Sequence, residues 1–143
     1  MDEGYGMIKA YIDGAMNPKT KKAGVGLVLL KDAQQEQLKA PVIPAVDNHY
    51  TEFQALAFLL DYLKEEGYQN EFIFCYSDSQ VLVEAVERGY LKRKNYQVIL
   101  RQVLEELAFF PHFYLSWLAD QHNLGADQLA KQALQMSYLS PQN

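Results

Sequence analysis

An α/β fold built on one five-stranded mixed sheet is what this 143-residue sequence predicts. Three observations predict it. The first third alternates in the period-two manner of strands and is broken by turn-forming residues. The remainder interleaves apolar strand-like runs with helical periodicity. The resulting order, β-β-β-α-β-α-α-β-α, joins an antiparallel meander to crossover units, which implies a mixed sheet with helices packed on it. At this length a single domain spanning 1–143 with a sizeable core is expected.

The first strand is Met7 to Asp13, with Ile8, Ala10 and Ile12 on one face, and it is expected to end where Gly14 follows Asp13. Asn17-Pro18-Lys19-Thr20-Lys21-Lys22 is a basic turn. Ala23 to Leu30 makes a second strand. Its Gly24 and Gly26 form a Gly-x-Gly with no helix after it, which favours close backbone approach over nucleotide binding. A third strand over about Glu36 to Ile43 is pushed to a sheet edge by Pro41 and Pro44.

Asn48 to Glu66 is helical, with Leu56, Leu59, Leu60 and Leu63 on one stripe, Asn48 as N-cap and Gly67 as stop. Steps of four, three and four residues back from Leu63 lead to Glu52, which therefore faces the core. Glu71 to Ser77 is almost wholly apolar and suits a strand covered on both faces. A short helix from Gln80 to Arg88 stops at Gly89, and the basic cluster Lys92-Arg93-Lys94 follows. Asn95 to Phe110 is a further amphipathic helix ended by Pro111. His112 to Leu118 is the fifth strand, and the last helix runs from near Asn123 to about Met136. The ten tyrosines are assigned to core and half-buried packing.

The formal charge of −5 speaks against a general nucleic-acid coat protein. The lone Cys75 excludes an intrachain disulfide and fits a reducing compartment. With no signal-peptide pattern and no apolar window of membrane-spanning length, a cytoplasmic protein without a membrane partner is expected.

Four acids stand where apolar elements begin or end: Asp13, Glu52, Asp78 and Asp127. Each has an ordinary alternative. Asp13-Gly14 reads as a turn, Glu52 and Asp127 as first-turn acids on a helix dipole, and Asp78 as a helix cap. Together, the topology converges them on one end of the sheet, where open α/β sheets bind ligands. Carboxylates about 4 Å apart repel by several kcal/mol even at an effective dielectric near 20, so such a group must take up protons or cations. An all-oxygen set suits Mg²⁺ or Mn²⁺ and the metal-assisted displacement of phosphoryl oxygens.

Tyr11-Ile12-Asp13-Gly14-Ala15, Thr51-Glu52-Phe53-Gln54-Ala55-Leu56, Tyr76-Ser77-Asp78-Ser79-Gln80 and Asn123-Leu124-Gly125-Ala126-Asp127-Gln128-Leu129-Ala130 resemble the motifs of type 1 ribonuclease H, in the family's order and at compatible spacing. The resemblance implies the ribonuclease H-like fold and two-metal hydrolysis of the RNA strand of RNA–DNA hybrids, leaving a 3′-hydroxyl and a 5′-phosphate. It implies that Asp13 bridges two Mg²⁺ ions (Mn²⁺ being the alternative), that Glu52 and Asp78 ligate them, and that Asp127 completes the second position. It further implies that Asn17, Asn48 and Gln80 touch the nucleic-acid backbone, beside turn and N-cap readings for the two asparagines. A monomer is expected. Two features depart from the family. Trp117-Leu118-Ala119-Asp120-Gln121 occupies the loop where bacterial members carry a histidine, with His122 and His49 read as surface or helix-end residues. The stretch from Gly89 to Tyr96 is too short for a long basic protrusion. The competing expectation is a weak or inactive module of the same fold that binds nucleic acid or a protein partner.

Overall fold

The structure is a computed structural model that describes residues 6–119, 123 and 125–139. Its strands are β1 (Met7–Met16), β2 (Ala23–Lys31), β3 (Gln34–Val42), β4 (Phe72–Ser77) and β5 (Phe113–Trp117). Its helices are α1 (Asn48–Glu65), α2 (Gln80–Arg88), α3 (Gln97–Leu107) and α4 (Ala126–Ser137), with a 3-10 turn at Lys94–Tyr96. The strands lie in the order β3-β2-β1-β4-β5. β1 pairs antiparallel with β2 and parallel with β4, so the first strand is the central one. β3 is an edge, and its Pro41 sits where a missing N–H is tolerated.

One face of the sheet carries the main core. Ile8, Ala10 and Ile12 of β1, Val25, Leu27 and Leu29 of β2, and Ile73 and Cys75 of β4 pack against α1, α2 and α3. The stripe expected on α1 holds: Leu56, Leu59 and Leu63 are buried, and Glu52 is buried with them. The start of α1 differs from expectation, because Asp47 caps it. The Asp47 carboxylate accepts from the Tyr50 amide at 3.0 Å, while Asn48 is already helical. The helix closes on Gly67 at φ +77°, where the Tyr68 amide donates to the Leu63 carbonyl and the Gly67 amide to that of Lys64.

β1 does not stop at Asp13. It continues to Met16, because β2 goes on pairing with it as far as Met16↔Ala23. Gly14 is there for clearance: a Cβ on it would lie 2.6 Å from the Thr51 carbonyl oxygen, where α1 crosses the strand. The turn reading of Asp13-Gly14 is therefore corrected.

α4 covers the other face over β1, β2 and β3. A Cβ at Gly24 would meet the Leu134 amide nitrogen at 2.3 Å, and one at Gly26 the Ala126 carbonyl oxygen at 2.5 Å. Small residues on both sides, Gly24 and Gly26 against Ala126, Ala130 and Ala133, let helix and sheet touch through backbone. Among the described residues, α4 packs on these three strands and not on β4. In β4 the buried Ile73, Cys75 and Ser77 alternate with half-buried Phe72, Phe74 and Tyr76. The expectation of a strand covered on both faces is thus also corrected, because α4 lies over the β1–β3 half of that face.

Candidate active site

β4 pairs with β1 only as far as Ile12↔Ser77, so beyond this point the two strands part and their next residues include Asp13 and Asp78. Glu52 arrives from the second turn of α1, one residue after the Thr51 that rests on Gly14. Asp13, Glu52 and Asp78 each place a carboxylate oxygen within 4.8 Å of the others. Asp13 is 8% and Glu52 6% exposed.

The alternative readings of these three acids do not fit. Glu52 lies beyond the first turn of α1, out of reach of a dipole explanation. Asp78 does not cap α2; Ser79 does, its hydroxyl accepting from the Leu82 amide at 3.1 Å. Asp13 Oδ1 accepts from the Gly14 amide at 2.9 Å within a continuous strand.

Burial raises the Glu52 carboxyl well above the ordinary carboxylate range, and the negative charges of Asp13 and Asp78 push it further. One of its oxygens, Oε1, is buried with no hydrogen-bond partner. A sealed, unpartnered carboxylate oxygen beside two further acids is costly in a bare protein and fits a hard divalent cation. The donor set, all carboxylate oxygen, matches Mg²⁺ or Mn²⁺ rather than zinc.

The acids open into a cavity of about 830 Å³. Asp127, Asn48 and Gln80 line it as well, so six of the seven residues expected at the site share one cavity. Asp127 stands apart from the tight trio. It is exposed in the first turn of α4, where seating Ala126, Ala130 and Ala133 on the sheet turns its neighbour outward. The close packing expected of four carboxylates is therefore met by three. Asn17 is not in the cavity wall. Its Oδ1 accepts from the Lys19 amide at 2.8 Å, as in a turn, and its Nδ2 donates to the Tyr138 hydroxyl at 2.7 Å.

The sequence reading gave no site role to several residues that shape the cavity. His49 and Lys131 line it, bringing the basic groups to a wall that is otherwise acidic or neutral. Lys131 is signalled by its i+4 spacing from Asp127; His49 by its position one turn before Glu52. Trp117 also lines the cavity, and its indole Nε1 donates to the Asp78 carbonyl at 3.2 Å. Asn123 is buried, and its Nδ2 donates to the Ile12 carbonyl at 3.4 Å, bracing the approach to α4 against the strand that carries Asp13. His122 lies outside the described residues.

With this geometry in place, the profile of the RNase H family matches residues 6–135. The chain belongs to the RNase H family. Among relatives, EbsB of Enterococcus faecalis is 33% identical over 132 residues, 92% of this chain and 97% of that protein. A ribonuclease H of Chlorobium phaeobacteroides is 27% identical over 143 residues, covering 89% of this chain and 94% of its own. Among solved structures, LC11-RNase H1 in complex with an RNA/DNA hybrid superposes with a TM-score of 0.80 at 21% identity, covering 93% of this chain and 99% of that one. The five-stranded sheet, antiparallel and then parallel, with four helices is the RNase H-like fold. Among the described residues, no helix of this RNase H domain is long and apolar enough to cross a membrane.

Proposed function

We propose that the cavity hydrolyses the RNA strand of RNA–DNA hybrids with two Mg²⁺ ions held by Asp13, Glu52, Asp78 and Asp127. The observation that carries this reading is the convergence of carboxylate oxygens of Asp13, Glu52 and Asp78 within 4.8 Å of one another, together with a buried, unpartnered oxygen on Glu52. Membership of the RNase H family and the hybrid bound by LC11-RNase H1 support the choice of substrate. Asp13 on the central strand, Glu52 and Asp78 beside it and Asp127 at the outer wall of the cavity are the residues that would hold the ions. When bound, such ions activate a water and stabilise the leaving oxygen of an in-line displacement.

The chain's own residues do the remaining work. Asn48 and Gln80 line the same cavity as the acids, at the start of α1 and of α2. Short polar side chains there suit a minor groove read through 2′-hydroxyls and backbone shape. Asn17, tied to Tyr138, holds the basic 17–22 loop beside the end of α4, from which it reaches backbone further along the duplex. Cleavage leaves a 3′-hydroxyl and a 5′-phosphate. The reading places the protein in the cytoplasm as a monomer.

The test is cleavage of an end-labelled hybrid in Mg²⁺ and then in Mn²⁺, beside duplex RNA and single-stranded DNA, with Asp78→Asn as control. Hybrid-specific cleavage abolished by Asp78→Asn is the expected result. Hybrid binding without cleavage in either metal would replace this reading with that of a non-catalytic module.

A further inference from the structure

Besides the stripe it buries in the core, α1 carries a second one. Tyr50, Gln54, Phe58 and Asp61 recur at helical spacing and line a groove of about 660 Å³. Ile43, just past the end of β3, and Ile99 of α3 add to its apolar lining. The loop that carries Ile43 is tied to the turn after β1. The Ala45 amide donates to the Lys21 carbonyl at 2.9 Å, and the Lys21 ammonium donates to the Val46 carbonyl at 3.3 Å. The groove is thus built into the fold, as ligand sites usually are.

Three features of the groove select its occupant. The first is Gln54, which is only 6% exposed. Its Nε2 donates to the Ile43 carbonyl at 2.9 Å, and this bond settles which end of the amide is which. The other end, Oε1, is buried with no hydrogen-bond partner. An orphaned acceptor among apolar walls is costly until an N–H or O–H reaches it. The second feature is size: the volume and the mostly apolar lining are those of a small-molecule site. The third is charge. Lys22 and Asp61 both line the groove, but the Lys22 ammonium lies over the Tyr138 ring, 5.7 Å from its centroid. Asp61 stands in a negative field. Burial raises its carboxyl, and Glu106 and Glu65 raise it further against the opposing pull of Lys64. A cation is therefore favoured at the Asp61 end, about 10 Å along α1 from Gln54.

We propose that this groove binds a small aromatic amine. The ring lies among Ile43, Tyr50, Phe58 and Ile99, a ring N–H donates to Gln54 Oε1, and the ammonium faces Asp61. The groove shares no described residue with the acidic cavity, so the proposal does not depend on the nuclease reading.

The probe is tryptamine, which carries an indole N–H and an ammonium on one apolar frame. Isothermal titration calorimetry on the intact chain compares it with its ring-N-methyl derivative, which lacks the donor, and with indoleacetate, whose charge is reversed. Saturable binding of tryptamine is expected. Affinity should fall about tenfold for the N-methyl derivative, and about tenfold for tryptamine itself with Asp61→Asn. It should be unchanged with Asp78→Asn. In Gln54→Leu the two amines should bind alike; the same comparison on wild type decides the matter if that variant does not fold. No saturation at millimolar tryptamine, or equal affinity of wild type for the two amines, overturns the proposal. So does loss of binding with Asp78→Asn, which would assign the amine to the acidic cavity. Tighter binding of indoleacetate overturns it by assigning the charge to Lys22. Sedimentation of the free chain as a dimer that Ile43→Lys dissociates overturns it by giving the groove to a second copy.

Discussion

The indole nitrogen of Trp117 donates to the backbone carbonyl of Asp78 at 3.2 Å, tying the last strand to the residue that supplies the third acid of the site. Asp78 follows directly on the end of β4, where pairing with β1 has stopped, so this bond fixes the carbonyl of a residue the ladder no longer holds. Trp117→Phe keeps the ring and removes the donor. The expected cost is about 1 kcal/mol of stability, read by urea unfolding, and a severalfold fall in single-turnover hybrid cleavage. A variant with unchanged cleavage would show that Asp78 needs no such tether.

Glu52→Gln separates function from stability. It removes a buried negative charge that burial and the neighbouring acids both disfavour. The metal-free variant is therefore expected to melt higher than wild type at pH 8. Cleavage is expected to drop about a hundredfold or more, since even the hydrogen-bonding partners of metal ligands are worth 10- to 100-fold. Differential scanning calorimetry and a hybrid assay on the same preparation check both halves.

The raised Glu52 pKa also gives a pH dependence with a definite sign. Between the ordinary carboxylate range and the raised value, folded chains keep a proton that unfolded chains have lost. The associated stability is full below that window and disappears as pH rises through it. On the proposed function a divalent cation would take the place of the proton, so the rise in Tm on adding Mg²⁺ is expected to be larger at pH 8 than at pH 5.5. Equal shifts at the two pH values would contradict it, and in Glu52→Gln the difference should shrink.

Gly26→Ala tests the seat of α4. The new Cβ would meet the Ala126 carbonyl oxygen at 2.5 Å and the Ala130 amide nitrogen at 2.6 Å, and backbone must move to admit it. A loss of about 1–3 kcal/mol is expected, as for other overpacked sites. Cleavage should fall as well, because Asp127 rides on the displaced turn. Gly67→Ala supplies the contrast: nothing lies within 4 Å of its added Cβ, so only the φ of +77° opposes it.

Asp47 serves two elements at once. It caps α1 through the Tyr50 amide and accepts from the hydroxyl of the buried Tyr96. Burial pushes its carboxyl up, but the bonds from Tyr96 and Tyr50 and the charges of His49 and Arg93 outweigh this and hold it below the ordinary range. Its contribution is therefore present at neutral pH and is lost as pH falls through the lowered value. Asp47→Ala is expected to cost about 2 kcal/mol or more. Asp47→Asn, which keeps an acceptor for the cap, should cost less in the same urea titration.

Element order and the inward aim of Glu52 were legible in the sequence, because periodicity and turn chemistry are local. The misreadings were all tertiary. Nothing in Asp13-Gly14 tells a turn from a strand that needs clearance for Thr51. Asp47 and Asn48 are equally good caps on paper, and Tyr96, far along the chain, favours the former. Phe72, Phe74 and Tyr76 are as apolar as the residues between them, so coverage of one face reads the same as coverage of two. Asp127 was found by its motif, but its outward turn follows from how alanines sit on glycines in another strand.

Gly14 touches Thr51, and the acids Asp13 and Glu52 are the immediate chain neighbours of that contact. The gap between the backbones that carry these two carboxylates is consequently gauged by Thr51 lying over a residue with no Cβ. On the proposed function, the size of cation the pair would accept thus depends on the thickness of a single glycine.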